Sequence, residues 1–467
     1  MAAVPPVDEP REFHVGVLGV TGFVGKCRVL ITTVGPYMLY GEPVARACVE
    51  ARTHYCDLTA EMPFVAMLHA RHGLAAKERG VKLISFCGFD SIPSDLCVFM
   101  IQNKAIELTG KPCKEVKLAV RSIRGGVSGA TIESALNVMG HSSMSNPYYL
   151  LQHAADNSQT LGQQLPVQPR VCALHYDQDF GYSTFFVMSR VNENVVRWTN
   201  ALLGYRYGPG FVYYEMLACS FNLLTAAVVL VCTYTSLLAV GCPVSRMLLR
   251  LLRLLPAAGE GPGVRTLRSG CFRMEAVGRC SVGTLRAAVG SSWGDPGYSE
   301  TAKMIAETAL AVALELSCCS KLTGTLSPAA AVGEPLIRRL RDKGLQCEVN
   351  LEPAAAAQQQ QQQPQQEETL AWLTPLQLLL LLRSTRRRLL QLSEQRESSS
   401  SSSNSSSSSS NSSSNSRWLQ HGPQQQHAAG EERPLPLQQE KQVARQQKLL
   451  ATREGLLLLQ QQLATRE

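Results

Sequence analysis

Charged side chains are scarce in this sequence of 467 residues, where Asp, Glu, Lys and Arg together make up 18%. Globular chains usually carry about 25%. The formal net charge is +8, but no dense block of basic residues interleaved with aromatic ones concentrates it. Nucleic-acid binding depends on such a patch, so we expect no nucleic-acid partner.

A spaced cysteine motif is also lacking. The chain has 15 cysteines, none of them in a Cys-x-x-Cys pair, and Cys318 and Cys319 are adjacent. An odd, scattered set predicts a reducing, intracellular compartment and neither a disulfide framework nor a zinc site. We interpret His69 and His72, on a predicted helix without neighbouring acids or cysteines, as surface histidines and expect no metal. Met1–Pro10 has no basic segment followed by an apolar run, so no signal peptide is predicted.

The C-terminal part of the chain has little that can form a core. It contains a glutamine run at Gln358–Gln363, a leucine run at Leu378–Leu382 and a serine-rich stretch at Ser398–Ser416. Such tracts bury too little apolar surface to offset the entropy lost on ordering, so we expect disorder. A tail that binds a partner is the alternative.

A glycine-rich turn follows the first apolar segment. Phe13–Leu18 predicts a short buried strand, which runs into a Gly-x-x-Gly-x-x-Gly sequence. Glycines at this spacing permit a tight bend and let pyrophosphate approach backbone N–H groups at a helix N-terminus. The candidate contacts to NAD or NADP are therefore Gly19, Thr21, Gly22, Phe23 and Gly25.

The segment after this turn is unusually short. A second apolar strand, Val29–Val34, begins only three residues after Gly25, whereas a parallel crossover with its helix needs at least about 10–12 residues. The residue that contacts the ribose, normally about 20 residues beyond the glycines, has no position either. We therefore predict a Rossmann-type sheet that lacks most of its adenine-binding half. We favour an error in the gene model or a skipped exon as the explanation, and a real loss is the alternative.

Further segments carry a recognisable pattern across roughly residues 13–350: Val29–Tyr37, Tyr40–Val44, Tyr55–Glu61, Cys87–Leu96, Gly125–Thr131 and Leu326–Gly333. In order and spacing they resemble the saccharopine dehydrogenase-like oxidoreductase family, close to the trans-acting enoyl reductases of lipid assembly. The resemblance implies an NAD(P)-binding α/β protein. It also implies a second domain whose sheet closes over the cofactor and can join two copies in a homodimer.

We therefore expect an α/β fold with a truncated Rossmann-type parallel sheet and a second α+β domain, together with an apolar helical segment and a disordered tail. The expected divisions are a disordered N-terminus (1–12), the truncated NAD(P)-binding domain (13–110), the second α+β domain (111–215), an apolar membrane-associating helical segment (216–255), the C-terminal part of the catalytic body (256–352) and a low-complexity tail (353–467).

Two loops are candidates for cofactor contact. The loop Val34-Gly35-Pro36-Tyr37 ends a predicted buried strand, at the edge where open α/β sheets bind ligands. The resemblance implies that this loop flanks the nicotinamide. Gly125–Gly129 predicts either a phosphate-binding loop or, as we prefer, a strand-to-helix turn helped by Thr131.

Three carboxylates are candidates for acid–base chemistry. Asp57 and Glu61 follow one predicted strand, and Asp90 follows the predicted strand Val81–Phe86, so all three are expected near the mouth of the cleft. The alternative for Asp90, which we prefer, is that it forms a turn or caps the helix that begins near Pro93.

An uncharged run interrupts the α/β pattern. Met216–Ser245 contains no charged residue over thirty positions, more than the roughly 20 that cross a bilayer as a helix. Gly241-Cys242-Pro243 breaks the run, and Arg246, Arg250 and Arg253 then form a basic stripe on a leucine-rich helix, suited to a membrane surface. Since residues 13–200 and 265–350 are expected to form one body, we prefer monotopic or re-entrant insertion to a full span. A buried helix pair or a dimerisation face is the alternative.

The resemblance implies an NAD(P)-dependent oxidoreductase that acts by hydride transfer, and the apolar run favours a lipid-like substrate. We expect it inside the cell, on the cytosolic face of a membrane or on a lipid droplet. An amino-acid substrate fits the apolar run less well. The rival hypothesis is a non-catalytic, membrane-associated scaffold that keeps the fold without binding the cofactor, and the short link after Gly25 favours it.

Overall fold

The computed structural model describes residues 13–18, 27–126, 132, 136, 145–154, 166–169, 171, 174–220, 222–252, 255–256 and 260–353. The disorder expected for residues 1–12 and for the tail beyond residue 353 lies outside these described residues. So do five of the candidate cofactor contacts, namely Gly19, Thr21, Gly22, Phe23 and Gly25.

The strands and helices alternate as expected for a mixed α/β chain. The strands are β1 (Phe13–Leu18), β2 (Cys27–Thr32), β3 (His54–Asp57), β4 (Lys82–Ile84), β5 (Glu115–Arg124), β6 (His175–Asp177), β7 (Gly181–Thr184), β8 (Val212–Ser220), β9 (Cys271–Cys280), β10 (Gly283–Ser291), β11 (Gly324–Leu326) and β12 (Gln346–Pro353). The helices are α1 (Tyr37–Glu50), α2 (Met62–Leu68), α3 (Leu74–Glu78), α4 (Ile92–Thr109), α5 (Tyr149–His153), α6 (Ser189–Leu202), α7 (Leu223–Gly241), α8 (Pro243–Leu251), α9 (Val264–Ser269), α10 (Thr301–Leu314), α11 (Pro328–Ala331) and α12 (Glu334–Asp342).

The first sheet is parallel throughout, in the order β1-β2-β3-β4-β11. Strand β2 is apolar on both faces because both are covered. Val29 and Ile31 lie in the core that includes α10, whereas Leu30 lies in the core that includes α1 and α2. The predicted Rossmann-type parallel sheet is therefore confirmed, with its second strand beginning two residues earlier than expected.

Strands β1 and β2 are direct neighbours in this sheet. Phe13 lies opposite Cys27 and Leu18 lies opposite Thr32. The chain must therefore run from the end of β1 back to the level where β1 began before it can enter β2. The eight residues 19–26 make this connection. A crossover that includes a helix needs about 10–12 residues or more, so the connection is shorter than a helical crossover requires.

The second sheet is mixed, in the order β12-β10-β9-β5-β8-β7-β6. Strand β5 pairs parallel with β8 and antiparallel with β9, while β11 from the same C-terminal part joins the first sheet. The segments before residue 200 and after residue 265 therefore form one body, as expected. Helix α4 packs on β9 and β10 and ends at Gly110, which adopts a left-handed φ of 70°.

The apolar segment leaves and rejoins the second sheet at one end. Its first residues, Met216–Ser220, belong to β8, so the expected helical segment starts later, at Leu223. Strand β8 ends, and β9 begins, at the carboxyl end of β5. We call residues 222–270 the helical excursion. Of the residues described in α7, Ala226 alone is buried.

Candidate active site

The carboxyl edge of the first sheet brings the candidate residues together. The loop Thr33–Pro36 follows β2, Leu58–Glu61 follows β3, and Ser85–Asp90 follows β4. Because the strands are parallel neighbours, these three loops share one edge of the sheet. Ligands bind at this edge in open α/β sheets.

Glu61 holds the start of α1. Its two carboxylate oxygens accept hydrogen bonds from the backbone N–H groups of Tyr37 and Met38, each at 2.9 Å. A carboxylate at a helix N-terminus satisfies free N–H groups and is favoured by the helix dipole. Glu61 is buried and both its oxygens are engaged, so the geometry gives it a structural role at the edge.

Asp57 holds the ends of β3 and β4 together. Its Oδ1 accepts the Thr59 N–H at 3.0 Å, and its Oδ2 accepts the Ser85 hydroxyl at 3.1 Å. Phe86, which directly follows Ser85, has a left-handed φ of 65°. This is a strained backbone conformation for a residue with a bulky side chain. Complete burial raises the pKa of Asp57 to about 7. Because its oxygens are engaged within the loops, Asp57 is placed to order the edge.

Asp90 differs from both. It lies in the turn after β4 and is half-buried, and no hydrogen bond to its carboxylate is found among the described residues. Burial raises its pKa to about 6. Of the preferred alternative, a turn or a helix cap, the turn is formed at Asp90, whereas α4 starts without a side-chain cap and the Ser91 hydroxyl donates to Asn192 Oδ1 at 3.1 Å instead. Of the three candidates, Asp90 is the one whose carboxylate no described residue engages.

The loop expected beside the nicotinamide is partly open. Val34 is 38% exposed and Gly35 is exposed, whereas Pro36 is half-buried. The side chain of Tyr37 is buried, donating from its hydroxyl to Thr32 O at 3.1 Å and accepting the Leu58 N–H at 3.3 Å. Val34 and Gly35 are therefore accessible to a cofactor. The buried Tyr37 side chain holds the loop in place through its two hydrogen bonds.

Gly125 and Gly126 follow β5, as the predicted turn requires. The Gly126 N–H donates to Asp295 Oδ2 at 2.5 Å, so a carboxylate of this chain already occupies the donor that a phosphate would use. Thr131 and the remaining glycines of the segment lie outside the described residues. Asp295 was not predicted as a site residue, and its only sequence signal is the glycines that surround it.

The two histidines are engaged within the body and are not surface groups. His69 Nδ1 lies 2.8 Å from Thr325 Oγ1, and His72 Nε2 lies 2.7 Å from Glu42 Oε1. Both side chains are half-buried. Within the described part of the chain, no group of three or more His, Cys, Asp or Glu residues is arranged to hold a metal.

A cavity of about 490 Å³ lies away from this edge. Its lining residues are Glu307, Glu315, Arg338, Arg339, Asp342 and Lys343, from α10 and α12 and the residues that directly follow each helix. Arg339 bridges Glu307 at 2.7 Å and Glu315 at 2.6 Å. We interpret this cavity as a solvated ion-pair network without a part in the chemistry of the edge.

The parallel sheet and its carboxyl edge define a Rossmann-type α/β protein. Over 336 residues the chain is 33% identical to a putative trans-acting enoyl reductase of Mycobacterium tuberculosis, covering 69% of this chain and 80% of that protein. The trans-acting enoyl reductase of Mycobacterium leprae is 33% identical over 343 residues, with the same coverage. The chain belongs to the trans-acting enoyl reductase family, which confirms the resemblance seen in its sequence.

Two solved structures with similar folds are distant in sequence. Apo saccharopine dehydrogenase from Saccharomyces cerevisiae gives a TM-score of 0.35 at 12% identity, covering 70% of this chain and 86% of that one. An engineered D-amino acid dehydrogenase bound to NADP+ gives a TM-score of 0.28 at 11% identity, covering 67% and 79%. No protein-family profile matches the chain.

Proposed function

We propose that this protein is an NAD(P)-dependent oxidoreductase that reduces a lipid-like substrate at a membrane or lipid-droplet surface. The observation that carries the proposal is the half-buried carboxylate of Asp90, which no described residue engages, at the ligand-binding edge of a Rossmann-type sheet. The name of the relatives, trans-acting enoyl reductase, supports reduction of a carbon–carbon double bond as the reaction.

The described residues fit the nicotinamide half of a dinucleotide. Val34 and Gly35 form an accessible loop at the carboxyl edge, and Glu61 and Tyr37 hold that loop rigid from inside. A bound nicotinamide supplies or accepts hydride. The residues proposed for the pyrophosphate, Gly19–Gly25, lie outside the described part of the chain.

Asp90 supplies the proton in this proposal. Adding hydride to the β-carbon of an enoyl group moves an electron pair toward the carbonyl, and the α-carbon then takes up a proton. A carboxylic acid whose pKa is near 6 is protonated often enough near neutral pH to donate. Asp57 and Glu61 are engaged by backbone and hydroxyl donors, which leaves the transfer to Asp90.

The helical excursion supports a lipid surface as the place of reaction. Helix α7 has 19 residues and is therefore about 28 Å long at 1.5 Å per residue. It is the one helix among the described residues that is long and apolar enough to cross a membrane. Leu224 is 70% exposed and Leu238 is 71% exposed, and such a surface is costly to leave in water.

Helix α8 turns its apolar side outward. Val244, Met247 and Leu251 are exposed, while the Arg246 guanidinium donates to Val240 O at the end of α7, at 3.2 Å. The outward arginine stripe expected from the sequence is thus not formed at Arg246, because that side chain caps α7. Arg253 lies outside the described residues. An outward apolar stripe supports adsorption to lipid.

Topology favours attachment to one leaflet. The excursion leaves from β8 and returns to β9 at the same end of the second sheet. A single crossing would separate two strands that both pair with β5. The proposal is therefore monotopic attachment, with both flanks on the cytosolic side.

The catalytic proposal is tested by following NADH and NADPH oxidation with a long-chain trans-2-enoyl thioester in the presence of phospholipid vesicles. Asp90→Asn should lower kcat/KM by about 100-fold or more, since general acid catalysis contributes on that scale. In the unaltered protein kcat/KM should fall as the pH rises through about 6, as Asp90 loses its proton. Glu78→Gln, at an exposed position, is the matched control and should leave turnover unchanged. Full turnover by Asp90→Asn would exclude this role.

A non-catalytic scaffold is the second candidate, and the eight-residue connection between β1 and β2 favours it. Calorimetric titration with NADH and NADPH distinguishes the two. We expect this chain to bind either cofactor at least about tenfold more weakly than a version whose connection is lengthened to a full crossover. Equal affinities would remove the argument for lost cofactor binding.

A further inference from the structure

Two glycines make room for Asp295, and a third donates a hydrogen bond to it. A Cβ atom at Gly125 would lie 2.8 Å from Asp295 Oδ2, and one at Gly270 would lie 2.4 Å from the Asp295 Cα. The Gly126 N–H donates to the same Oδ2. Asp295 itself is completely buried. Glycine is therefore required at two positions for the chain to close around this carboxylate.

Asp295 organises the turn that leads into α10. Its Oδ1 accepts the Tyr298 N–H at 3.0 Å, and its backbone carbonyl accepts the Glu300 N–H at 2.9 Å. Its own N–H donates to the carbonyl oxygen of Leu267 at 2.9 Å. Leu267 lies in α9, near the end of the helical excursion. One buried residue thus ties together the segment after β5, the excursion and the Pro296–Glu300 turn.

Thr301 connects this turn to the loop that carries Asp90. Its hydroxyl donates to Pro296 O at 2.9 Å and accepts the Phe89 N–H at 3.0 Å. The Phe89 ring packs edge-on against Phe272, with ring centroids 4.8 Å apart. Thr301 is almost fully buried, at 8% exposed, so this hydroxyl hydrogen-bonds on both sides without competition from bulk water.

We infer that Thr301 is a positioning residue for the Asp90 turn, and that Asp295 fixes the segment from which Thr301 acts. The inference rests on the proposed function, because it assigns these two residues to the placement of the proton donor. Asp90 has no hydrogen-bond partner of its own among the described residues, so its position depends on how the backbone of its neighbour Phe89 is held.

Removing the Thr301 hydroxyl should change the pKa of Asp90. Burial is the cause of the raised pKa of Asp90, and no charged neighbour contributes to it. If the Phe89 N–H loses its acceptor, that N–H must turn toward water, since a buried donor without a partner is costly. The turn then opens, the Asp90 carboxylate becomes better solvated, and its pKa falls toward the ordinary aspartate value near 3.9.

The experiment measures the titration of Asp90 by carbon-13 NMR of the full chain labelled at aspartate carboxyls, with Asp90→Asn identifying the resonance. Thr301→Val keeps the shape and removes the hydroxyl, and should lower the pKa of Asp90 by about one unit or more. Thr301→Ser keeps the hydroxyl and should preserve the pKa of the unaltered protein. The pH profile of kcat/KM should shift in the same direction in Thr301→Val and stay in place in Thr301→Ser.

Asp295→Asn provides a second variant if Thr301→Val does not fold. Its amide cannot accept from both Gly126 and Tyr298 as the carboxylate does, so the pKa of Asp90 should again fall, by a smaller amount. An unchanged pKa in a folded Thr301→Val or Asp295→Asn protein overturns the positioning role. Full turnover by Asp90→Asn, with the pKa shift present, overturns the proposed function and leaves the positioning role standing.

Discussion

The sheet body and the helical excursion are both apolar, yet they treat their apolar side chains in opposite ways. In β2, Val29 and Leu30 are completely buried, because helices cover both faces of the sheet. In α7 and α8, Leu224, Leu238 and Leu251 are each at least 70% exposed. Composition alone does not distinguish a core from an attachment surface. What distinguishes them is whether other helices of the same chain pack over the apolar side chains.

The strongest test of this contrast replaces four exposed apolar residues of α7 by serine. The fourfold variant should partition onto vesicles of phosphatidylcholine and phosphatidylserine more than about 100-fold less, since each side chain buried in lipid contributes roughly 1.5–3 kcal/mol. The measurement is vesicle flotation, with four exposed residues of the body replaced in parallel as the control. The excursion set is Leu224, Val228, Val231 and Leu238, and the control set is Leu39, Leu74, Val282 and Leu314. Equal binding by both variants would place the attachment outside the excursion.

The next largest expected effect is on the free energy of unfolding, when one leucine is truncated in each of the two regions. Leu30→Ala should lower the free energy of unfolding by about 2–5 kcal/mol, because it leaves a cavity in a closed core. Leu224→Ala should change it by no more than about 0.5 kcal/mol in the absence of lipid. Urea denaturation of both variants gives the two values. A large loss in Leu224→Ala would mean that the excursion is part of the core.

The body also contains buried carboxylates, which the described excursion lacks. Burial raises the pKa of Asp57 and of Asp95 to about 7, and that of Glu215 to about 8. Because these folded-state pKa values lie above the unfolded ones, their contribution to stability is present at low pH and is lost as the pH rises through about 7 to 8.

Thermal unfolding should therefore show a Tm several degrees lower at pH 9 than at pH 6, by a shift of about 2–8 °C. Asp95→Asn removes one of these groups. Its neutral amide can still meet the Thr199 hydroxyl and the Ala329 N–H that Asp95 binds, so its Tm should depend less on pH. A Tm that rises from pH 6 to pH 9 would contradict the assignment.

The smallest effect concerns the tail. Removing residues 354–467 should change the Tm by less than about 2 °C, because glutamine and serine tracts contribute little packable surface. Differential scanning calorimetry of the full chain and of the shortened chain measures the difference. A larger drop would show that the tail covers part of the body.

Local patterns were enough to predict the parallel sheet. Apolar runs such as Val29–Val34 and Val81–Phe86 predicted β2 and β4, with ends that shifted by a few residues. The strand character of Met216–Ser220 was missed, because an uncharged stretch looks alike in a buried strand and in an apolar helix.

The partners of the site residues could not be predicted, because they are distant in sequence. Glu61 caps a helix that begins 24 residues earlier in the chain, and Asp295 accepts from a glycine 169 residues away. The sequence Asp90-Ser91 before Pro93 is typical of a capped helix start, and tertiary contacts drew the Ser91 hydroxyl to Asn192 instead. Such assignments depend on the folded body and not on spacing.

The position of β11 has a consequence for biosynthesis. This strand closes the edge of the first sheet against β4, and Lys82 in β4 donates to Leu322, 240 residues later. A ribosome that adds about 5–20 residues per second needs roughly 10–50 s to make that span. During this time β4 has an open edge, and unpaired edges recruit other strands. We therefore expect the nascent chain to depend on chaperones until residue 326 has emerged.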